Sequence, residues 1–376
     1  MPPQPYTIQV SDQVLDDLRA RIAATRWPSY IAGSGWDYGA DTGYVRELLA
    51  YWRDGFDWRA QEARLNSFAN FKAEIDGLGI HFVHERGKGE GAIPLLMLHG
   101  WPSTYIQMLE TIPLLTQPDA GGVCFDVVAA SLPGYGFSDI PAESGMDERR
   151  MATLFVKLMK ELGYEKFAAR GSDIGGGVLN LLGAHHAANL IGLHQTGIRP
   201  LVLKVPDDLT EAEKTFVAQV QQWGIHERAY AALHNTKPQT LAHALNDSPA
   251  GLAAWIVEKF RSWSDCNGDV EKRFSKDELL TNLTIYWATQ TITSSIRVYY
   301  EIFHAGPQAG PDPSVPIAYL MAAQDIAMPP REWVERTTKL ARWTQLDTGG
   351  HFLEWEEPAL VADDLRAFFG GLKGAA

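Results

Sequence analysis

Cysteine, positive charge and long apolar runs are all scarce in this sequence. Two cysteines, Cys124 and Cys266, stand among 376 residues. They cannot build a disulfide framework or a cysteine-rich zinc site, and such usage fits a reducing compartment. Lys and Arg number 33 against 46 Asp and Glu, a net charge of −13. The basic residues gather into no patch, so no nucleic-acid partner is expected. No stretch approaches the roughly 18 uncharged apolar residues of a membrane span. The opening MPPQPYTIQVSDQVLDDLRARI has no basic segment leading into an apolar one, so neither signal peptide nor membrane anchor is expected. The sequence reads as soluble and cytoplasmic, and Asn282-Leu283-Thr284 as a chance match to the glycosylation pattern.

What is present is ordinary globular text, 45% hydrophobic and 21% charged. Its 34 Gly and 21 Pro follow no period, which excludes collagen-like and solenoid architectures. At this length more than one structural unit is expected. Residues 1–74 read as a helical extension. Ser11 can cap a helix carrying Val14, Leu15, Leu18 and Ile22, and a second helix carries Val45, Leu48, Leu49 and Trp52.

Over 75–205 the texture changes. Short apolar runs, Ile80–His84, Ile93–Leu98, Phe125–Ala130 and Phe167–Ala169, alternate with helical text until about Ile198. That alternation predicts an α/β unit with a mostly parallel central sheet covered on both faces. Residues 206–305 are helical and aromatic, and the alternation resumes over 306–376 with Val315–Leu320 and Trp343–Leu346. A helical insertion after the sixth strand reads as a cap over the active-site end of the sheet.

The chemistry concentrates at three places. Gly171-Ser172-Asp173-Ile174-Gly175 has the spacing of a nucleophile elbow, with Asp173 at the apex and Ser172 one position off it. A carboxylate apex attacks carbon and leaves an alkyl ester. His351 follows the last strand and two glycines, where the general base of a nucleophile–acid–histidine order belongs. Asp325, ending the preceding strand, is the expected orienting acid, ahead of Asp347, Glu354 and Glu356. His99-Gly100-Trp101-Pro102 ends an early strand, and the Trp101 and Ile174 N–H groups are the expected oxyanion donors.

The chain resembles the microsomal-type epoxide hydrolases of the α/β-hydrolase superfamily. The matching text is spread over nearly all of it: WRAQEARLNSFANF from Trp58, HGWPST from His99, LPGYGFS from Leu132, GSDIGG from Gly171, TKPQTLAHALNDSPAGLAAWIVEKFRSW from Thr236 and GGHFLEWEEP from Gly349. The resemblance implies an α/β-hydrolase fold and hydrolysis of a small apolar epoxide by water to a vicinal diol, without metal or cofactor. It also implies two cap tyrosines on the epoxide oxygen, matched here by Tyr230 and by Tyr299 rather than Tyr300. Trp101, Ile174 and Phe352 are the expected substrate-lining residues, and a homodimer is compatible with the text. Ile174 stands where many members have Trp, and Asp325 where this branch often has Glu. The mammalian members' N-terminal anchor is expected to have no counterpart here. A dehalogenase shares the Asp–His–Asp set but needs halide-holding N–H donors, and a hydrolase-fold receptor would lack turnover.

Overall fold

The computed structural model describes residues 3–197, 205–306, 308, 310–312 and 314–373. Nine strands form one sheet: β1 (Gln4–Pro5), β2 (Asn70–Ile75), β3 (Leu78–Glu85), β4 (Ile93–Leu98), β5 (Phe125–Ala130), β6 (Phe167–Ser172), β7 (Leu190–Thr196), β8 (Ile317–Met321) and β9 (Leu340–Gln345). Their spatial order is β1-β2-β3-β5-β4-β6-β7-β8-β9. The first three pair antiparallel down to β5, and every pair from β5–β4 to β8–β9 is parallel. The expected α/β-hydrolase sheet is present.

Helices cover both faces. In β7, Gly192 faces Phe369 and Leu372 of the helix Pro358–Lys373, while its neighbour Leu193 reaches Gly183 of the helix Asp173–His185. Successive strand residues point to opposite sides, so the two helices lie on opposite faces. This two-sided burial explains why β4 is continuous apolar text, and β5 nearly so with Asp126 the one break, instead of alternating text.

Two features differ from the sequence reading. The N-terminal segment is not only helical: β1 and β2 extend the sheet edge before Ile75. β1 was illegible because two exposed residues carry no periodicity. The cap therefore follows the seventh strand in chain order, or the sixth of more than two residues. Ile198, where the alternation was expected to stop, lies outside the described residues.

Six helices, Glu211–His226, Ala229–Thr236, Pro238–Leu245, Pro249–Trp263, Lys276–Thr289 and Ile292–His304, lie between β7 and β8 among the described residues. They are bolted to the loops that follow the parallel strands. Tyr286 hydroxyl donates to Ser103 O and Asn282 Nδ2 to Pro102 O, each at 2.9 Å. Tyr135 hydroxyl donates to Ser295 O at 3.0 Å. Buried in that bond, Asn282 is no glycan acceptor. The N-terminal helices hold the cap from outside, through Trp52 Nε1 to Thr284 Oγ1 at 2.9 Å and Tyr51 hydroxyl to Asp277 at 2.8 Å. Among the described residues no helix is long and apolar enough to cross a membrane.

Candidate active site

β6 turns directly into the helix Asp173–His185, and Asp173 sits at the turn with φ +51°. A non-glycine residue there is strained, a common price of projecting one side chain above a sheet. The turn closes because Gly175 lies against β4. A Cβ at Gly175 would stand 2.4 Å from Leu98 O and 2.8 Å from His99 O. Gly100 is equally tight from the other side, since a Cβ there would meet Asp173 Oδ1 at 2.3 Å. The two glycines let the ends of β4 and β6 converge on one carboxylate.

The Trp101 N–H donates to Asp173 Oδ1 at 2.9 Å. Ile174 is the second residue of the helix, so its N–H is one of the first-turn donors without an intrahelical acceptor. His351 Nδ1 donates to Asp325 Oδ1 at 2.7 Å, which turns Nε2 toward Asp173 Oδ2, 3.8 Å away. Asp325 Oδ1 also accepts the Ile326 N–H at 2.6 Å. The His351 backbone is fixed in turn, its N–H donating to Trp263 O at 2.8 Å. Burial works against the imidazolium. The charge and hydrogen bond of Asp325, then the charge of Asp173, outweigh it and push the His351 pKa up to about 9.

The competing acids are occupied elsewhere. Glu354 pairs with Arg170 in the sheet core at 2.9 Å, both fully buried. Arg170 also donates to His194 Nδ1 at 2.8 Å and to Thr196 Oγ1, and Gln107 Nε2 donates to Glu354 at 2.5 Å. Glu356 accepts the N–H groups of Asp265 at 2.8 Å and Phe352 at 3.1 Å. Asp347 is exposed on the loop after β9.

The cap closes over Asp173 with an aromatic box. Tyr230 stacks on Trp101 with centroids 5.3 Å apart and planes 9° apart. Tyr299 stands edge-on to Trp101 at 6.0 Å and to Tyr230 at 6.0 Å. Burial drives both phenols' pKa values upward, with the charge of Asp173 adding to it, so both keep their protons. Tyr300 is exposed and its ring lies on His304 instead. Phe352 departs from the substrate-lining expectation. Its ring stacks on Phe260 at 4.2 Å and meets Phe274 and His351 edge-on, so it packs behind the base.

Two ring neighbours were not singled out in the sequence. Trp263 lies 5.2 Å from the His351 ring and 5.1 Å from Tyr230. His234 is one helical turn beyond Tyr230 and touches Trp101, Tyr230 and Tyr299. The signal for His234 was its i+4 spacing from Tyr230, which shares a helix face. Among the described residues no three His, Cys, Asp or Glu side chains gather into a metal-ligating group.

Comparison with known proteins gives consistent results. The family profile described as epoxide hydrolase N terminus matches residues 3–108, and the profile for the α/β hydrolase fold matches 93–358. A Stigmatella aurantiaca protein assigned as an epoxide hydrolase is 42% identical, the alignment covering 98% of this chain and 85% of that one. Epoxide hydrolase 1 of Sus scrofa is 35% identical over 98% of this chain and 89% of its own. The crystal structure of juvenile hormone epoxide hydrolase from the silkworm Bombyx mori superimposes with a TM-score of 0.88 at 31% identity, covering 99% of this chain and 94% of that one.

Proposed function

The chain belongs to the epoxide hydrolase family of the α/β-hydrolase fold, which opens epoxides with water to diols, and we propose that it does so through a hydroxyalkyl ester on Asp173. One observation carries this reading: Asp173 is held by the Trp101 N–H on one oxygen and faces the Asp325-oriented His351 with the other.

In the first step Asp173 Oδ2 attacks a ring carbon and the ring C–O bond breaks. The epoxide oxygen takes its proton from the Tyr230–Tyr299 pair, whose raised pKa values keep that proton available. Ester formation removes the negative charge of Asp173, one of the carboxylate charges that, with Asp325 foremost, hold a proton on His351. The His351 proton then passes to the phenolate left by the first step, so the base is free when the water step needs it. His351 then takes a proton from water, the hydroxide adds to the ester carbonyl, and the Trp101 and Ile174 N–H groups receive the oxyanion. Collapse expels the diol oxygen, which takes the proton back from His351, and the new Asp173 carboxylic acid then gives its proton to His351, restoring the starting state. The aromatic box of Trp101, Tyr230, Trp263 and Tyr299 favours an apolar substrate.

The working division is an extension at 1–74, a core at 75–205 and 306–376, and a cap at 206–305. We further read the protein as cytoplasmic and cofactor-independent, with a homodimer as the assembly to examine by sedimentation.

The experiment is one turnover in ¹⁸O-water with enzyme in excess. The ester route puts an Asp173 oxygen into the diol, so the diol stays unlabelled and the Asp173 peptide gains the label. Direct attack of an activated water on the epoxide gives labelled diol at once and an unlabelled peptide. That result would sink the nucleophile assignment.

A further inference from the structure

The box around the phenols contains a hydrogen-bond donor that the mechanism does not use. His234 is fully buried on the helix Ala229–Thr236. Its ring lies 4.8 Å from Trp101, 4.9 Å from Tyr299 and 5.5 Å from Tyr230. The Trp255 indole N–H donates to its Nε2 at 3.2 Å. An indole nitrogen can only donate, so Nε2 holds the lone pair and the neutral imidazole carries its proton on Nδ1. Burial, reinforced by the charge of Lys259, lowers the His234 pKa to about 3 and keeps the ring neutral. Its Nδ1 has no hydrogen-bond partner.

Buried polar atoms are rarely left this way, and here they cluster. Trp101 Nε1 and Trp263 Nε1 are also buried without a partner, and the buried Tyr299 hydroxyl has no neighbour but the Tyr230 phenol to meet it. All three belong to rings in contact around Trp101. Three of the four groups are N–H donors. The complement of such a box is an apolar molecule with more than one acceptor oxygen.

We propose that His234 Nδ1–H is a substrate-recognition donor, and that the preferred epoxides carry a second acceptor oxygen a few bonds from the ring. This rests on the hydrolase reading above. The phenols take the epoxide oxygen, and the imidazole touches both phenol rings. An oxygen that reaches Nδ1 therefore belongs on the ring's nearest substituent, as in a keto or alkoxy epoxide. A plain alkyl epoxide would leave the donor unmet.

The test compares kcat/KM for two epoxides of matched shape. One bears a methyl ketone two methylenes from the ring, and in the other the carbonyl is replaced by CH–CH₃. In His234→Phe the value should fall about tenfold further for the keto epoxide than for its isostere, the worth of one hydrogen bond. His234→Gln can accept from Trp255 and donate from its other end, and should regain most of that ratio. Trp255→Phe leaves the ring and removes the bond that fixes its tautomer, so the ratio should fall there too. Equal losses on both substrates, or an unchanged ratio in the Trp255 variant, would overturn the proposal. If the wild type turned over neither epoxide, the hydrolase reading itself would fall, which is a different outcome from a wild type that turns over both without a His234 effect.

Discussion

Replacing Arg170 by Met would strand the Glu354 carboxylate inside the sheet. The pair is 2.9 Å apart, with side chains 0% and 1% exposed, so neither partner can rehydrate when the other is removed. Breaking such a pair from one side costs about 3–5 kcal/mol. We take about 4 kcal/mol for Arg170→Met and about the same for the mirror change Glu354→Leu. The double variant holds no buried charge, but it leaves Gln107 Nε2, His194 Nδ1 and Thr196 Oγ1 each short of a partner. At the low end of about 1–3 kcal/mol per unsatisfied group, those three come to about 3 kcal/mol. His194 keeps Asp364 and Gln107 keeps Ser103, which is why the low end applies. The singles would then sum to about 8 kcal/mol against about 3 for the double, a coupling of about 5 kcal/mol. Urea unfolding of the four proteins at one pH, with slopes compared, measures it directly. Additive singles would refute the argument, because the two charges would then not depend on each other.

Four further outcomes follow from the site. The His351 pKa is about 9 when folded against an ordinary 6.5, so its stabilisation is complete below the unfolded value and is lost as pH rises through about 9. Urea titrations should show wild type gaining most over His351→Gln near pH 6, and an equal gain at pH 10 would contradict the assignment. Gly175→Ala drives a methyl against backbone and should lower the melting temperature sharply, whereas Gly100→Ala meets a side-chain oxygen and should cost activity more than stability. A reversed order by calorimetry and assay would contradict the packing account. Tyr230→Phe and Tyr299→Phe should each slow single-turnover alkylation on the order of 10²-fold. His351→Gln should accumulate enzyme plus one substrate mass, and a folded variant without adduct would count against the covalent route.

The Asp173 turn and the His351–Asp325 pair that the structure brings beside it were legible because each is a local signal: small residues around an apex, or a polar residue ending an apolar strand. Strands β4 and β5 were legible because burial on both faces makes them nearly continuous apolar text. The Arg170–Glu354 pair was not. Its members lie 184 positions apart, and a charged residue next to Gly171 reads as the start of a turn. Glu354 was weighed as an orienting acid because proximity in sequence does not say which way a helix turns a side chain. Phe352 failed for the same reason: adjacency to His351 put it near the base, and the Phe260 stack took it behind. The choice of Tyr299 over Tyr300 lay in the phase of the helix Ile292–His304, which the structure resolves by turning one ring to Trp101 and the other to solvent.

The Trp101 amide makes the two oxygens of Asp173 unequal. It grips Oδ1, while Oδ2 faces His351. On the proposed route only Oδ2 departs with the diol, and only its place is refilled from water. The residue is then half fixture and half reagent, renewed one atom at a time. After many turnovers in ¹⁸O-water the Asp173 peptide should level off at one heavy oxygen. Any slower climb toward two would clock how often the carboxylate lets go of the amide and turns over.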